Sequence, residues 1–310
     1  MRYKDAGVDL EKQREVHAVA QSVLSGGAGR YVRWVEEGGR QYALHVDGVG
    51  TKALWLLQAG KMHVAGWDCL AVNINDVVCD GFKPIAAVDY IAVAPGLENA
   101  AKEALMGLSE AARAAGVYIL GGETAIMPDV VTGVDVVCTV LAVREGEVVG
   151  EAEPGDYIVG VESSGPHANG FSLLRRLFQL GDNICGTTAA EVFLKPVAMY
   201  DKVLNLYKED LIKAAAHITG GGFTKIKRVL GSLGAEIELG PLPCWAEAVL
   251  KRGVPRDEAY RVFNMGVGMA LITKTPGDLL KRLEDLGYSA RLIGRVKPEG
   301  PVVVDGIPLA

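Results

Sequence analysis

Apolar and polar positions along the chain switch repeatedly between a period of two and a period near 3.6. Residues 42–46 alternate as a strand that runs straight into Asp47-Gly48-Val49-Gly50-Thr51-Lys52. Over 66–79, apolar residues at helical spacing, among them Leu70, Ile74, Val77 and Val78, predict a buried helix. A strand follows at 85–94, then an amphipathic helix at 97–115 with Leu97, Ala101, Ala104, Leu105, Leu108 and Ala112 on its stripe and Gly116 as its cap. A short apolar strand at 117–120 ends in Gly121-Gly122-Glu123-Thr124, and a longer one covers 134–143. After the charged, glycine-bearing stretch 144–156, the pattern restarts with a strand at 157–161. Helices are predicted at 169–180, 196–207, 222–230 and 276–286. This alternation places the chain in the α/β class. Residues 1–149 and 150–310 are expected as two α/β domains, although a hairpin turn at 144–156 would read the same way.

Composition narrows this picture. A chain of 310 residues suits two domains, each able to bury a core without disulfide staples. Its 39 glycines exceed the usual share of about 7% with no collagen-like period, so they are expected at special backbone positions. A net charge of -6 argues against a whole-protein nucleic-acid binder. No apolar run reaches the roughly 18 residues of a membrane helix, and the first residues lack a signal-peptide core, so a soluble cytoplasmic protein is expected. The five cysteines form no C-x-x-C pair and are odd in number, which speaks against a zinc ribbon and against a disulfide scaffold.

The candidate chemistry lies in acids and glycine-rich turns. P-loop, dinucleotide, zinc-protease and G-x-S-x-G signatures are all absent. Asp47 at a strand exit, followed by Gly48, Gly50, Thr51 and Lys52, suits close backbone approach to a phosphate or metal, with Lys52 adding a point charge; a plain tight turn is the alternative. Asp68, Asn75 and Asp76 share one face of the 66–79 helix, where carboxylates must be paired or bind a cation such as Mg²⁺. Asp68 in the first turn could equally serve the helix dipole. Glu123, behind Gly121 and Gly122, stands where open α/β sheets bind ligands, and Asp47, Asp68, Asp76 and Glu123 together are the expected metal set. Ser164-Gly165-Pro166-His167-Ala168-Asn169 precedes a helix and offers an anion site beside His167. His217, followed by Gly220, Gly221 and Gly222, combines an acid–base candidate with a second anion-binding turn. The alternating glycines of Asn264-Met265-Gly266-Val267-Gly268-Met269 read as tight strand packing.

Taken in order, YKDAGVD at 3–9, DGVGTK at 47–52, VNIND at 72–76, GGET at 121–124, SSGPHANG at 163–170, HITGGGF at 217–223 and YRVFNMGVGM at 260–269 resemble the phosphoribosylformylglycinamidine cyclo-ligase family over nearly the whole chain. The resemblance implies ATP-dependent closure of an imidazole ring in purine biosynthesis. It also implies a homodimer whose N-terminal domains pair into a β-barrel, with nucleotide bound near that interface. It assigns Lys4 and its neighbours to closing over ATP. Asp47, Asp76 and Glu123 would hold Mg²⁺ and phosphates, with Asp68 a weaker fourth. His167 and His217 would face formylglycinamidine ribonucleotide, and His217, then Asp76, are the candidates for the base. Selenophosphate synthetases, hydrogenase-maturation proteins, thiamine-phosphate kinases, the amidotransferase-coupled synthetase of the preceding purine step and a non-catalytic nucleotide binder are the rival readings. The chain departs from the family in its short loop at 25–30 and in Ile126-Met127-Pro128-Asp129 after GGET-Ala.

Overall fold

The computed structural model describes residues 2–8, 10–144 and 150–309. The expected junction between 149 and 150 therefore falls beside residues outside this description. The helices are α1 Leu10–Val23, α2 Lys52–Gln58, α3 Met62–Cys79, α4 Glu98–Ala115, α5 Phe171–Leu177, α6 Ala189–Phe193, α7 Val203–Lys208, α8 Lys227–Leu230, α9 Cys244–Lys251, α10 Arg256–Val262 and α11 Pro276–Asp285. The first sheet contains β1 Gly27–Ala28, β2 Arg33–Glu37, β3 Arg40–Gly48, β4 Phe82–Val93, β5 Tyr118–Ile126 and β6 Val134–Arg144, in the spatial order β1-β2-β3-β6-β4-β5. The later strands are β7 Tyr157–Glu162, β8 Asn183–Ile184, β9 Thr187–Thr188, β10 Ala214–His217, β11 Gly234–Ile237, β12 Val267–Thr273, β13 Ala290–Lys297, β14 Val302–Val304 and β15 Ile307–Pro308. All but the β8–β9 hairpin form a second sheet, β10-β12-β7-β13-β11-β14-β15. Both large sheets are mixed, and neither closes into a barrel.

One face of the first sheet packs on α3 and α4. Every residue of α3 except His63 and Trp67 is buried. Its crossing with α4 depends on two glycines. A Cβ on Gly66 would lie 1.7 Å from the Ala104 carbonyl oxygen, and one on Gly107 would lie 1.7 Å from that of His63. The two backbones are thus in direct contact, which no larger residue permits. The opposite sheet face is open: Val35, Leu44, Val46, Val88 and Tyr90 are exposed there at alternate positions of β2, β3 and β4.

Two expectations change. GGET is not a turn after β5 but part of it. Gly121, at φ +152°, sits where the register with β4 shifts, and Gly122 leaves the space that the Asp89 carboxylate fills. Four of the five cysteines are paired, Cys69 with Cys138 and Cys185 with Cys244, leaving Cys79 buried and free. Separations of 69 and 59 residues hid these pairs; they form because α3 lies on β6 and the 185 turn meets the start of α9.

Candidate active site

The site forms where α3, β3 and β10 meet. On β3, His45 and Asp47 alternate onto the face covered by α3. The Asn73 side-chain nitrogen donates to the carbonyls of Asp47, Cys69 and Cys138 at 3.2, 2.8 and 3.2 Å. Its oxygen therefore faces His45 Nδ1, 2.7 Å away, and that nitrogen must carry hydrogen. His45 Nε2 faces Asp76 Oδ2 at 3.3 Å, an arrangement that favours the protonated ring. Burial opposes this charge, but Asp76, Asn73 and Asp47 outweigh it and raise the His45 pKa.

The other Asp76 oxygen accepts from His217 Nδ1 at 2.7 Å. His217 Nε2 then accepts the Asn75 amide at 3.4 Å. Asn75 is oriented by donating to the Ala198 carbonyl at 2.9 Å and accepting from the Tyr200 N–H at 2.8 Å. Burial alone would raise the Asp76 pKa, but the two imidazoles hold it well below the ordinary carboxylate range. Asp47 reaches solvent, yet the protein around it strips enough water from its carboxylate, and the Asp76 charge adds enough repulsion, to raise its pKa.

His167 completes a triangle of rings, with centroids 6.3 Å from His217 and 6.1 Å from Tyr200. It is 1% exposed, its backbone is left-handed at φ +59°, and neither ring nitrogen has a partner among the described residues. Burial, reinforced by His217 and Lys52, pushes its pKa well below the usual value. Gly268 is required here, since a Cβ would collide with the Tyr200 hydroxyl and the His167 ring. The loops 163–170 and 217–222 come together: a Cβ on Gly220 would be 3.0 Å from Asn169 Oδ1. Gly222 serves packing, because its Cβ would strike the Tyr260 carbonyl. Ser164 is held by the Pro196 carbonyl at 2.5 Å, and the Gly165 carbonyl accepts from Asn264 at 2.8 Å.

Other predicted residues stand elsewhere. Lys52 and Asp68, expected at phosphate and metal, are both fully buried and form an ion pair at 2.6 Å. Lys52 also donates to the Lys195 carbonyl at 2.7 Å, and Asp68 accepts the Val197 N–H at 2.7 Å. With Asn75, they clasp the segment 195–200 and so join the two halves of the molecule. Thr51 bonds Ser172 at 3.1 Å. Lys4 lies in a short 3₁₀ turn, Lys4–Ala6, whose neighbours Tyr3 and Asp5 contact Glu258 and Arg176. Glu123 is exposed on β5, three strand positions from β3. The four acids do not converge: among the described residues no three His, Cys, Asp or Glu side chains lie close enough to hold a metal ion.

Asp89 was not expected. Register places Asp47, Cys138, Asp89 and Gly122 in one row across the first sheet. Asp89 is 7% exposed, its Oδ2 meets no donor among the described residues, and burial raises its pKa. His45 was also missed, although its position two residues before Asp47 puts both on one strand face.

Mixed sheets and a polar buried helix, with the candidate site where α3, β3 and β10 meet, define a two-domain α/β protein. Residues 27–143 match the model described as AIR synthase related protein, N-terminal domain, and 153–306 match the corresponding C-terminal domain. The chain is 42% identical over 290 residues to phosphoribosylformylglycinamidine cyclo-ligase of Saccharolobus solfataricus, covering 91% of this chain and 88% of that one. It is 36% identical to that of Thermococcus kodakarensis over 98% of both. AaThiL complexed with AMPPCP and TMP shares the fold, with a TM-score of 0.70 at 19% identity over 95% of this chain and 93% of that one. The chain belongs to the phosphoribosylformylglycinamidine cyclo-ligase family.

Proposed function

We propose that this chain closes the ring of formylglycinamidine ribonucleotide to 5-aminoimidazole ribonucleotide, converting ATP to ADP and phosphate, in purine biosynthesis. The near full-length relationship to cyclo-ligases carries this reading. An amide oxygen is a poor leaving group. Transfer of the ATP γ-phosphoryl to the formyl oxygen makes it a good one; the amidine nitrogen then attacks the same carbon, and phosphate departs with the oxygen. Such transfers need positioning and charge stabilisation more than a protein nucleophile.

In this reading His217, held by Asp76, and His167, with both nitrogens free, face the ribonucleotide. His217 Nε2 is already occupied by the Asn75 amide, while His167, whose ring nitrogens meet no partner among the described residues, is held neutral by burial and so can present one N–H and one lone pair to the substrate. The turns at Ser164–Asn169 and Gly220–Gly222, together with Gly48–Thr51 and the Lys4 segment, take the nucleotide and the substrate phosphates. Mg²⁺ needs only one or two carboxylates when phosphates and water complete its shell. Asp47 and Asp89 fit that demand, the latter through its orphaned oxygen, with Glu123 next along the sheet. The ion would neutralise phosphate charge there. The open apolar face of the first sheet supports pairing with a second copy, closing a barrel from two half-sheets.

A direct assay tests the activity. Purified protein with ATP, Mg²⁺ and formylglycinamidine ribonucleotide is expected to form aminoimidazole ribonucleotide and ADP in equal amounts. ADP release without ring product would replace the cyclo-ligase reading with that of another ATP-using enzyme.

A further inference from the structure

The lysine that the sequence offers to a phosphate, Lys52, is neutralised by Asp68. A different lysine stands unneutralised beside the site. Lys225 lies in the 3₁₀ turn Gly222–Ile226, directly after the three glycines. Its stem runs along Gly221, where a Cβ would be 3.4 Å from Lys225 Cε. Among the described residues its ammonium makes no hydrogen bond or ion pair. Burial, together with Arg228 next to it, lowers its pKa to about 8, while Asp76 and Asp47 pull weakly the other way. Those two carboxylates thus feel its charge without contacting it. Arg228, one turn on, has its guanidinium 5.1 Å above the Tyr31 ring, and the Tyr31 hydroxyl donates to the His217 carbonyl at 3.3 Å. Among the described residues no carboxylate forms an ion pair with Arg228 either.

Lys225 is partly buried and Arg228, three residues on, is exposed, so the two present cationic groups from one turn to an incoming anion. A phosphate dianion suits the pair: the arginine fork takes two oxygens and the lysine acts as a point charge. We infer that Lys225 and Arg228, beside the turn Gly220–Gly222 and His217, form a seat for a phosphate group. This rests on the cyclo-ligase reading, whose two substrates each carry phosphate: a phosphomonoester on the ribonucleotide and the polyphosphate of ATP.

Kinetics of Lys225→Met and Lys225→Arg test the seat. Methionine keeps the stem on Gly221 and removes the charge; arginine keeps the charge. Lys225→Met is expected to raise one KM by about tenfold or more and leave the other within about twofold, with Lys225→Arg close to wild type. A rise confined to formylglycinamidine ribonucleotide assigns the phosphomonoester, and one confined to ATP assigns the polyphosphate. Both KM values within about twofold of wild type would overturn the seat. Calorimetry needs no turnover and no Lys225 variant: ribose 5-phosphate and tripolyphosphate are titrated into wild type and Arg228→Gln. One anion is expected to bind wild type and to bind the variant about tenfold more weakly. Equal binding to both proteins, or binding of neither anion, also overturns it. Because this measurement is independent of ring closure, failure of the seat and failure of the cyclo-ligase reading are distinguishable.

Discussion

Lys52 and Asp68 illustrate how one residue pair can carry a message the motif around it does not. Removing one partner strands the other charge in the core, so Lys52→Met is expected to destabilise by about 3–5 kcal/mol. Lys52→Met with Asp68→Leu should recover most of that, read from urea midpoints. Unchanged stability with a raised KM for ATP would return Lys52 to the phosphates. Asp76→Asn should lower turnover by about a hundredfold or more, because the amide cannot orient both imidazoles as acceptor; near-normal turnover would remove Asp76 from the machinery. His45 has a raised pKa, so its stabilising contact with Asp76 is fully present below about pH 6.5 and fades as pH rises through its folded value. The stability difference between wild type and His45→Leu, in metal-free buffer, should therefore shrink as pH rises above about 6.5. A difference that stays constant from pH 6 to 9 would show that the fold does not raise the His45 pKa. His167, His217 and Asp76 were legible because glycine motifs or helical spacing flagged them. His45, Asp89 and Lys225 were not, because their importance comes from partners, or missing partners, far away in sequence.

At the level of elements, α3 is the part on which the site depends. It presents Asn73, Asn75 and Asp76, and its approach to α4 is set by Gly66 and Gly107. In an isolated helix Gly66→Ala would gain about 1 kcal/mol of propensity. Here the methyl must push α4 away, so a net loss of about 1–2 kcal/mol is expected from chemical denaturation, with reduced turnover as α3 shifts. A stabilised Gly66→Ala would show that the crossing is looser than described. The apolar periods of α3, α4 and the long strands were readable because one packed face imposes them. The short helices α5, α7 and α8 are shorter than expected, and α6, α9 and α10 lie where no helix is predicted, since neighbouring loops decide where such short elements form and end. The β5 strand was cut short in the sequence reading for the same kind of reason: only its pairing with β4 keeps two adjacent glycines extended.

The whole molecule joins two mixed sheets through one continuous core. Buried polar side chains at the junction bind the backbone of 195–200 in place of water. The α/β class and the matched order of motifs were visible in the sequence, whereas the clasp was not, because each of its side chains also reads as a candidate ligand. Leu44, Val46, Val88 and Tyr90 are exposed together on one sheet face, in a pattern that water alone does not favour. Sedimentation should therefore report a dimer, and Leu44→Lys with Val46→Lys should yield a folded monomer. A wild-type monomer at micromolar concentration would refute the pairing. That uncovered face also bears on how the protein would behave at low abundance. If two chains must meet before ATP is bound well, dilution alone should silence it: specific activity would fall steeply below the dissociation constant and return on adding an inactive Asp76→Asn copy. The amount of this chain present would then set its activity more sharply than in simple proportion.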